Sequence, residues 1–364
     1  WYWITKPITI PSTFNGKNVS IQGLRISGSG PGNPYAAQPP QGTNLVANMS
    51  ANFDSTVIDV QAPGLFLEIS DLAVATGGSK VHGIMVRAPY TWGLLKRLYI
   101  MGPYNVYTNP QAGIHLNVGG GNGFRLEDVF ILYFGAGIYV NSADWMIIDN
   151  VRIGKTNDAV VFGCLDGWYN VTTNCGANEI HIRDLQAVEP MNSVVRIEKM
   201  WGYKHVYDNI FVEMGANLNQ LFLINGGLYE PALVRNVEVS RHGYTLSNVV
   251  GGSTPSRIKI LRVVELADST PDKFYGYGYE RGVASLTGDG STTVFTLADI
   301  KYPLTDPNKA IILANVLSPK GVAYNVYPCN QDSSGVYRSL CIEFATAPAS
   351  GTSIQVQWLL DVIT

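Results

Sequence analysis

FRLEDVFI (124–131), AGIYV (136–140), MIIDNVRI (146–153) and DAVVF (158–162) follow one another almost without interruption. The first and third segments share one form: apolar-x-apolar-x, a polar pivot, then apolar-x-apolar. Alternation with a period of two marks a strand with one buried face. At the pivot the alternation slips by one residue, so apolar side chains stand at offsets −4, −2, +1 and +3. A turn or bend at Asp128 and Asn150 would let both flanking strands point inward.

Searching outward from this core finds the same form in LEISDLAV (67–74), GLLKRLYI (93–100), IHIRDLQA (180–187), HVYDNIFV (205–212), ALVRNVEV (232–239) and IKILRVVE (258–265). The pivots are Asp71, Arg97, Asp128, Asn150, Asp184, Asn209, Asn236 and Arg262. A shorter strand follows most copies, as in HGIMV (82–86), AGIHL (112–116), SVVRI (193–197) and QLFLI (220–224). Two strands per repeat with loops of variable length fit one coil of a parallel β-helix, in which each coil buries its inward residues against the coils above and below. A sandwich of tight hairpins would need two-residue turns that these connections lack. The pivots are read as turn geometry and stacked polar ladders rather than as catalytic groups.

The repeat stops after Arg262. Residues 1–266 are therefore assigned to the β-helix, 267–282 to a Gly/Tyr-rich connector, and 283–364 to a C-terminal β-domain. In the last segment STTVFTL, AIILANV, VAYNVYP, SLCIEFA and SIQVQWLL read as antiparallel strands punctuated by GDG (288–290) and ASG (349–351). The chain opens directly on strand-like WYWITKPITIP without a cap, and the expectation is a fragment of a longer polypeptide.

TKPITIPS (5–12), IQGLRISGSG (21–30), LFLEISDLAV (65–74) and the glycine-preceded second strands resemble the pectate-lyase-like right-handed parallel β-helix superfamily. Within it they look most like phage tailspike and depolymerase proteins. SLTGDGSTTVFTL (285–297) and APASGTSIQVQW (347–358) are similar to the C-terminal domains of tail fibres and tailspikes. The fold class expected is all-β: a right-handed single-stranded parallel β-helix followed by a small antiparallel β-sandwich-like domain for trimerisation or glycan binding. The resemblance implies a homotrimer on the virion tail, outside the cell, engaging bacterial or archaeal surface polysaccharide together with other tail proteins. It implies no cofactor. The family contains hydrolases, lyases, esterases and non-catalytic spikes, so fold leaves the chemistry open. The alternatives are a non-catalytic receptor-binding spike and a secreted cellular polysaccharide lyase.

Composition agrees. Apolar residues make up 46% and charged residues 15%, which excludes intrinsic disorder. A net charge of −3 argues against a nucleic-acid partner. No apolar run approaches the ~18 residues of a membrane helix, and no metal-ligand, P-loop or nucleophile-elbow motif occurs. The four cysteines fall into two local pairs, Cys164 with Cys175 and Cys329 with Cys341. They read either as two disulfides in an oxidising setting or as buried thiols.

Two surface columns carry candidate chemistry. The column before the pivot runs Ser70, Lys96, Glu127, Asp149, Arg183, Asp208, Arg235. Glu127 and Asp149 are neighbours there, either a catalytic acid pair or part of a ladder of opposite charges, and the ladder is favoured. The column of the second strand, read as outward, runs Met85, His115, Tyr139, Val161, Arg196, Phe222. For a lyase, His115 or Tyr139 would serve as base and acid and Arg196 as the stabilising cation. For a hydrolase, Asp144, Asp158, Asp166, Glu179, Glu189 or Glu198 would form the pair. Asn141 and the loop aromatics Tyr104, Tyr107, Trp168, Tyr169, Trp201 and Tyr203 are substrate-binding candidates, since exposed rings suit sugar faces.

Overall fold

The computed structural model describes residues 2–23, 43–47, 56–64, 66–76, 81–103, 111–119, 123–164, 175–266, 273–275, 277–304, 306–333, 335 and 337–363. The chain forms two compact units, Trp1–Lys259 and Ile260–Thr364. The first is a parallel β-helix. Each strand pairs in parallel with its equivalent one coil earlier and one coil later. Phe124–Leu132, for example, lies between Trp92–Met101 and Ala136–Gly154.

The polar pivots are the corners. Asp71, Arg97, Asp128, Asn150, Asp184 and Asn209 all have φ between +50° and +57°. A left-handed residue costs roughly 1–2 kcal/mol for an ordinary side chain, and Asn and Asp tolerate it through local hydrogen bonds. Its effect is to reset the strand alternation, so that Leu126, Val129 and Ile131 all point into the core. The corner side chains stack from coil to coil. Arg97 donates from Nε and Nη2 to the two Asp71 oxygens, each at 2.7 Å. Asn150 donates to Asp128 at 2.6 Å, Asn209 to Asp184, and Asn236 to Asn209 at 3.3 Å.

A coil holds more than the two strands expected. Further left-handed residues follow at Tyr133, Lys155 and Glu189 and again at Trp145, Glu179 and Lys204. They divide a full coil into four short faces. Face 1 precedes the pivot (124–127, 146–149, 180–183, 205–208) and face 2 follows it. Face 3 is the second strand of the repeat, and face 4 (142–144, 176–178, 201–203) returns the chain to the next coil. Face 4 was hidden in the sequence because its segments are three residues long, too short to show a period.

The core is largely apolar, with a polar insertion at His205. Phe162, Tyr207 and Phe222 stack nearly parallel at 6.4 and 6.3 Å between centroids. Fully buried His205 meets the Tyr207 hydroxyl with Nδ1 at 2.8 Å and the Ala177 carbonyl with Nε2 at 2.7 Å. A carbonyl only accepts, so Nε2 carries the proton and Nδ1 accepts from the tyrosine.

The second unit consists of two three-stranded antiparallel sheets. One places Ser353–Ile363 between Tyr277–Thr287 and Ala310–Ser318, and the other places Tyr337–Phe344 between Val294–Leu304 and Tyr324–Gln331. Leu340, Ile342, Ile354, Val356 and Leu360 lie in its core. Residues 267–282, read as a connector, include the strand Lys273–Tyr275 and the start of Tyr277–Thr287. Cys164 is disulfide-bonded to Cys175 and Cys329 to Cys341.

Burial fixes a pH dependence. It is the largest influence on three histidines, lowering His82 to about 3 and His115 and His205 to about 4. The unfolded chain binds these protons near pH 6.5 and the folded chain does not, so stability is full above pH 6.5 and declines as pH falls toward 4. Each histidine contributes about 1.4 kcal/mol per pH unit in that window. Urea unfolding at pH 7, 6 and 5 should show a falling midpoint, and His205→Gln should give a less stable protein with a shallower slope. A midpoint unchanged from pH 7 to 5 would contradict the burial of all three.

Candidate functional site

The column before the pivot has the expected register: Ser70, Lys96, Glu127, Asp149, Arg183 and Asp208 are successive partners. Arg183 lies 2.6 Å from Asp149, Arg125 spans Glu127 and Asp149 at 3.2 and 3.3 Å, and Arg235 lies 3.5 Å from Asp208. Lys96 turns to Glu68 at 2.8 Å rather than to Glu127. Glu127 and Asp149 thus stand in a half-exposed ladder of alternating charge. Arginine thus engages both members, and the pair belongs to the ladder rather than standing apart as two free acids.

The second-strand column differs from its reading in two ways. Its last member is Leu223, the partner of Arg196, whereas Phe222 faces inward against Tyr207. More importantly, Met85, His115, Tyr139 and Val161 are 0–1% exposed. They do alternate with the inward residues, yet this face is covered. His115 Nε2 contacts Asn141 Oδ1, while Asn141 Nδ2 donates to the Tyr139 hydroxyl at 2.7 Å and to the Gly163 carbonyl at 3.1 Å. The His82 and Tyr139 rings flank the His115 ring at 5.5 and 4.8 Å. The network is buried and braces the coils, so His115 and Tyr139 are not placed as the base and acid of a lyase beside Arg196, and Asn141 is not placed to bind substrate. Alternation tells which face a side chain takes, not what lies over that face.

Arg196 remains at the surface end of this column. Its Nη1 lies 3.3 Å from Asp158 and its Nε 3.4 Å from Glu198. Burial opposes its charge, but the two carboxylates outweigh that and raise its pKa. Asp158 is saturated, accepting from Ser193 at 2.6 Å, Asn192 at 2.7 Å and Asn157 at 3.1 Å. Glu198 accepts from Asn225 at 2.8 Å. Asp158 is thereby an anchor, and Glu198 is the member nearer solvent.

Face 4 carries two exposed aromatics, Trp201 and Tyr203, among buried and half-buried neighbours. Asp144, Asn178 and Tyr203 occupy one register, with the Asn178 amide donating to Asp144 at 2.5 Å. Ser142, Gly176, Trp201 and Gly227 occupy another. Trp201 is 46% exposed and its indole lies over Gly176, where a Cβ would come within 2.7 Å of the ring. Only glycine leaves room for that ring. Lys204 sits 5.5 Å over the Tyr203 ring and 2.8 Å from Glu179, whose hydrogen bond raises the lysine pKa. Glu189 lies elsewhere, 3.4 Å from Lys155 at the face 2 corner.

The corner between faces 4 and 1 carries residues that the sequence reading passed over. Five positions before each pivot stand Phe66, Trp92, Gly123, Trp145, Glu179 and Lys204 in successive coils. Phe66 and Trp92 are 46% exposed and Trp145 is 52% exposed. The two indoles meet edge to face at 6.2 Å and 90° across Gly123. A constant offset from the pivot was the signal available for finding them. Tyr104, Tyr107, Asp166, Trp168 and Tyr169 lie outside the described residues. Among the described residues, no group of three or more His, Cys, Asp or Glu is arranged to hold a metal ion.

The two clusters differ in their expected effect on stability. Arg196→Met should lower unfolding free energy by about 1–3 kcal/mol, because it leaves a buried carboxylate without its cation. Glu127→Gln should change it by less than about 0.5 kcal/mol, since the ladder is solvated. Urea denaturation of both variants measures the contrast, and equal losses would contradict the assignment of Asp158 as an anchor.

No protein-family model matches the chain, and no curated protein matches it. Among solved structures it is similar to phage tailspikes. A mutant tailspike protein of E. coli bacteriophage HK620 shares 11% identity over 88% of this chain and 69% of that one, with a TM-score of 0.45. The gp54 tailspike of Acinetobacter baumannii bacteriophage AP22, solved with A. baumannii capsular saccharide, shares 11% identity over 88% of this chain and 60% of that one, with a TM-score of 0.38. The tailspike protein gp49 of Pseudomonas phage LKA1 shares 11% identity over 95% and 67%, with a TM-score of 0.35.

Proposed function

We propose that this chain is a virion tailspike or tail-fibre protein that recognises the surface polysaccharide of a bacterial or archaeal host. The observation that carries the reading is the exposed pair Trp201 and Tyr203, set beside Asp144 and the Arg196–Glu198 ion pair on stacked coils, with the buried Asn178 amide holding Asp144. A sugar ring has apolar faces and a hydroxyl rim. Flat aromatic surface next to carboxylate and guanidinium groups answers both. The scaffold beneath is fixed by coil-to-coil hydrogen bonds, so little ordering entropy is lost on binding.

Binding is better supported than cleavage. A glycosidase holds its two carboxyl groups ~5–9.5 Å apart. Asp144 and Tyr203 are two coils apart, already about 9.6 Å at strand spacing, and Glu198 stands five residues before Tyr203 in the chain. Cleavage is the second reading, and Glu198 favours it: this carboxylate is held by Arg196 and Asn225 close to Trp201. The test is incubation with a panel of purified microbial capsular and O-chain polysaccharides, following retention, new reducing ends and unsaturated-uronate absorbance. The expected result is retention on at least one glycan, weakened about tenfold by Trp201→Ala, which corresponds to roughly 1.4 kcal/mol. Reducing ends that vanish in Glu198→Gln would establish the second reading instead. Retention on no glycan would remove the proposal.

The proposal includes a homotrimer joined through the second unit. The support is a row of exposed apolar side chains, Ile311, Leu313 and Leu317, on the strand Ala310–Ser318, with Val283 exposed two strands away. An exposed apolar face on an edge strand is a surface that association buries. Sedimentation equilibrium should give three times the chain mass, and Leu313→Glu should shift it toward monomer. A monomeric wild-type protein would contradict the trimer without touching the glycan reading.

A further inference from the structure

We propose that the corner built from Phe66, Trp92, Gly123 and Trp145 is an additional glycan subsite, one that orients an extended polysaccharide along the stacking axis of the coils. The inference rests on the polysaccharide reading above and adds a place and a direction to it. Adjacent coils are about 4.8 Å apart, comparable to the length of one pyranose ring. The corner therefore offers one position per coil to a chain lying along it. Phe66 and Trp92 are direct register partners. In the next coil Gly123 has no side chain, and the two indoles lean toward each other across it, perpendicular at 6.2 Å. One ring's face and the other's edge meet at a right angle beside the glycine, and both indoles are about half exposed. A pyranose ring set there rests its C–H face on one indole and its rim against the other.

The flanks fit the same ligand. On the face 1 side stands Arg125, two residues from Gly123, and on the face 4 side stands Asp144, next to Trp145. Arg125 is well exposed and Asp144 partly so. Further along, the corner turns polar at the ion pair Glu179–Lys204, beside Tyr203. Rings bordered on both sides by hydrogen-bonding groups suit a molecule that is apolar on its faces and polar at its edges. A protein partner is favoured by a wider continuous apolar patch, and an anionic membrane by clustered Lys and Arg; the corner has neither. Its three aromatics are each exposed by about half, and packing within a coil does not require that. Glycine at 123 also has a steric role, since an added Cβ would stand 3.1 Å from the Trp145 ring and 3.5 Å from that of Trp92.

The experiment takes polysaccharides that the wild-type protein retains, together with their acid-hydrolysis fragments of graded length. Affinity and indole fluorescence are measured for the wild type and for Trp92→Ala, Trp145→Ala, Gly123→Gln and Trp201→Ala. Circular dichroism confirms that each variant folds. The expected result is about a tenfold loss for Trp92→Ala and for Trp145→Ala. Gly123→Gln should lose as much while keeping both indoles, because its side chain fills the notch. Affinity should rise with fragment length until the chain spans face 4 and the corner. If the corner variants bind as wild type while Trp201→Ala does not, the corner proposal falls and the polysaccharide reading stands. If the wild type retains no glycan, both fall. If Trp145→Ala changes the sedimentation mass, the corner is an interface between copies and the proposal is overturned.

Discussion

One residue in the left-handed conformation, placed at the same position of six successive coils, organises the first unit. A strand alternates inward and outward without interruption, so a coil that must turn through a full circle needs its alternation reset at every corner. Asp71, Arg97, Asp128, Asn150, Asp184 and Asn209 do this at one corner. A side chain in that conformation is disfavoured in isolation. Here it is held by its neighbours, Arg97 on Asp71 and Asn150 on Asp128, so the strain of each corner is offset by the coils adjoining it. The corner cannot be stable in one coil alone, which is the physical reason that the unit exists only as a stack.

The same corners decide what faces outward. A left-handed residue in a strand points its side chain away from both flanking faces, with nothing beside it except the equivalent residue above and below. Where that residue is Asp or Asn, a polar ladder forms. Where it is Trp145, a large ring stands in solvent, and Trp92 and Phe66, which occupy the equivalent positions of earlier coils without a left-handed backbone, are exposed alongside it. Face 1 by contrast is finished with paired charges, Arg183 on Asp149 and Lys96 on Glu68, which leave little unsatisfied for a ligand to compete for. The surface is thus divided between a ladder of paired charges and an aromatic edge.

The coil stacking was legible because its signal is repeated. Eight pivots at a constant place in an alternating pattern fixed the register of Glu127 on Asp149 and of Tyr139 on His115, and the antiparallel second unit was marked by its turn residues. Local chemistry was legible only where sequence neighbours determine it. That Tyr139 and His115 are buried, while Arg196 in the same column reaches solvent, depends on tertiary packing that no period encodes. Face 4 escaped for a related reason: Asp144, Asn178 and Tyr203 belong to segments too short for a pattern, and they meet only when loops of unequal length bring them into register.

A stack of coils also suits the ligand class proposed for it. A protein that recognises a small molecule needs one cavity, and a pocket can be assembled from any fold. An extended polymer presents the same ring at regular intervals and gains from a surface that repeats on a similar scale. Parallel strands about 4.8 Å apart supply such a surface without any insertion, because an outward position in one coil is followed by its equivalent in the next. On the subsite proposed above, the substitutions along that line would set what is read: rings at Phe66, Trp92 and Trp145, a gap at Gly123, charge at Glu179 and Lys204. Changing one of them alters a single subsite while the ladder at the pivot corner, which carries the fold, is left alone. This separation between the corner that holds the coils and the corner that displays the rings allows such a surface to change specificity without loss of stability.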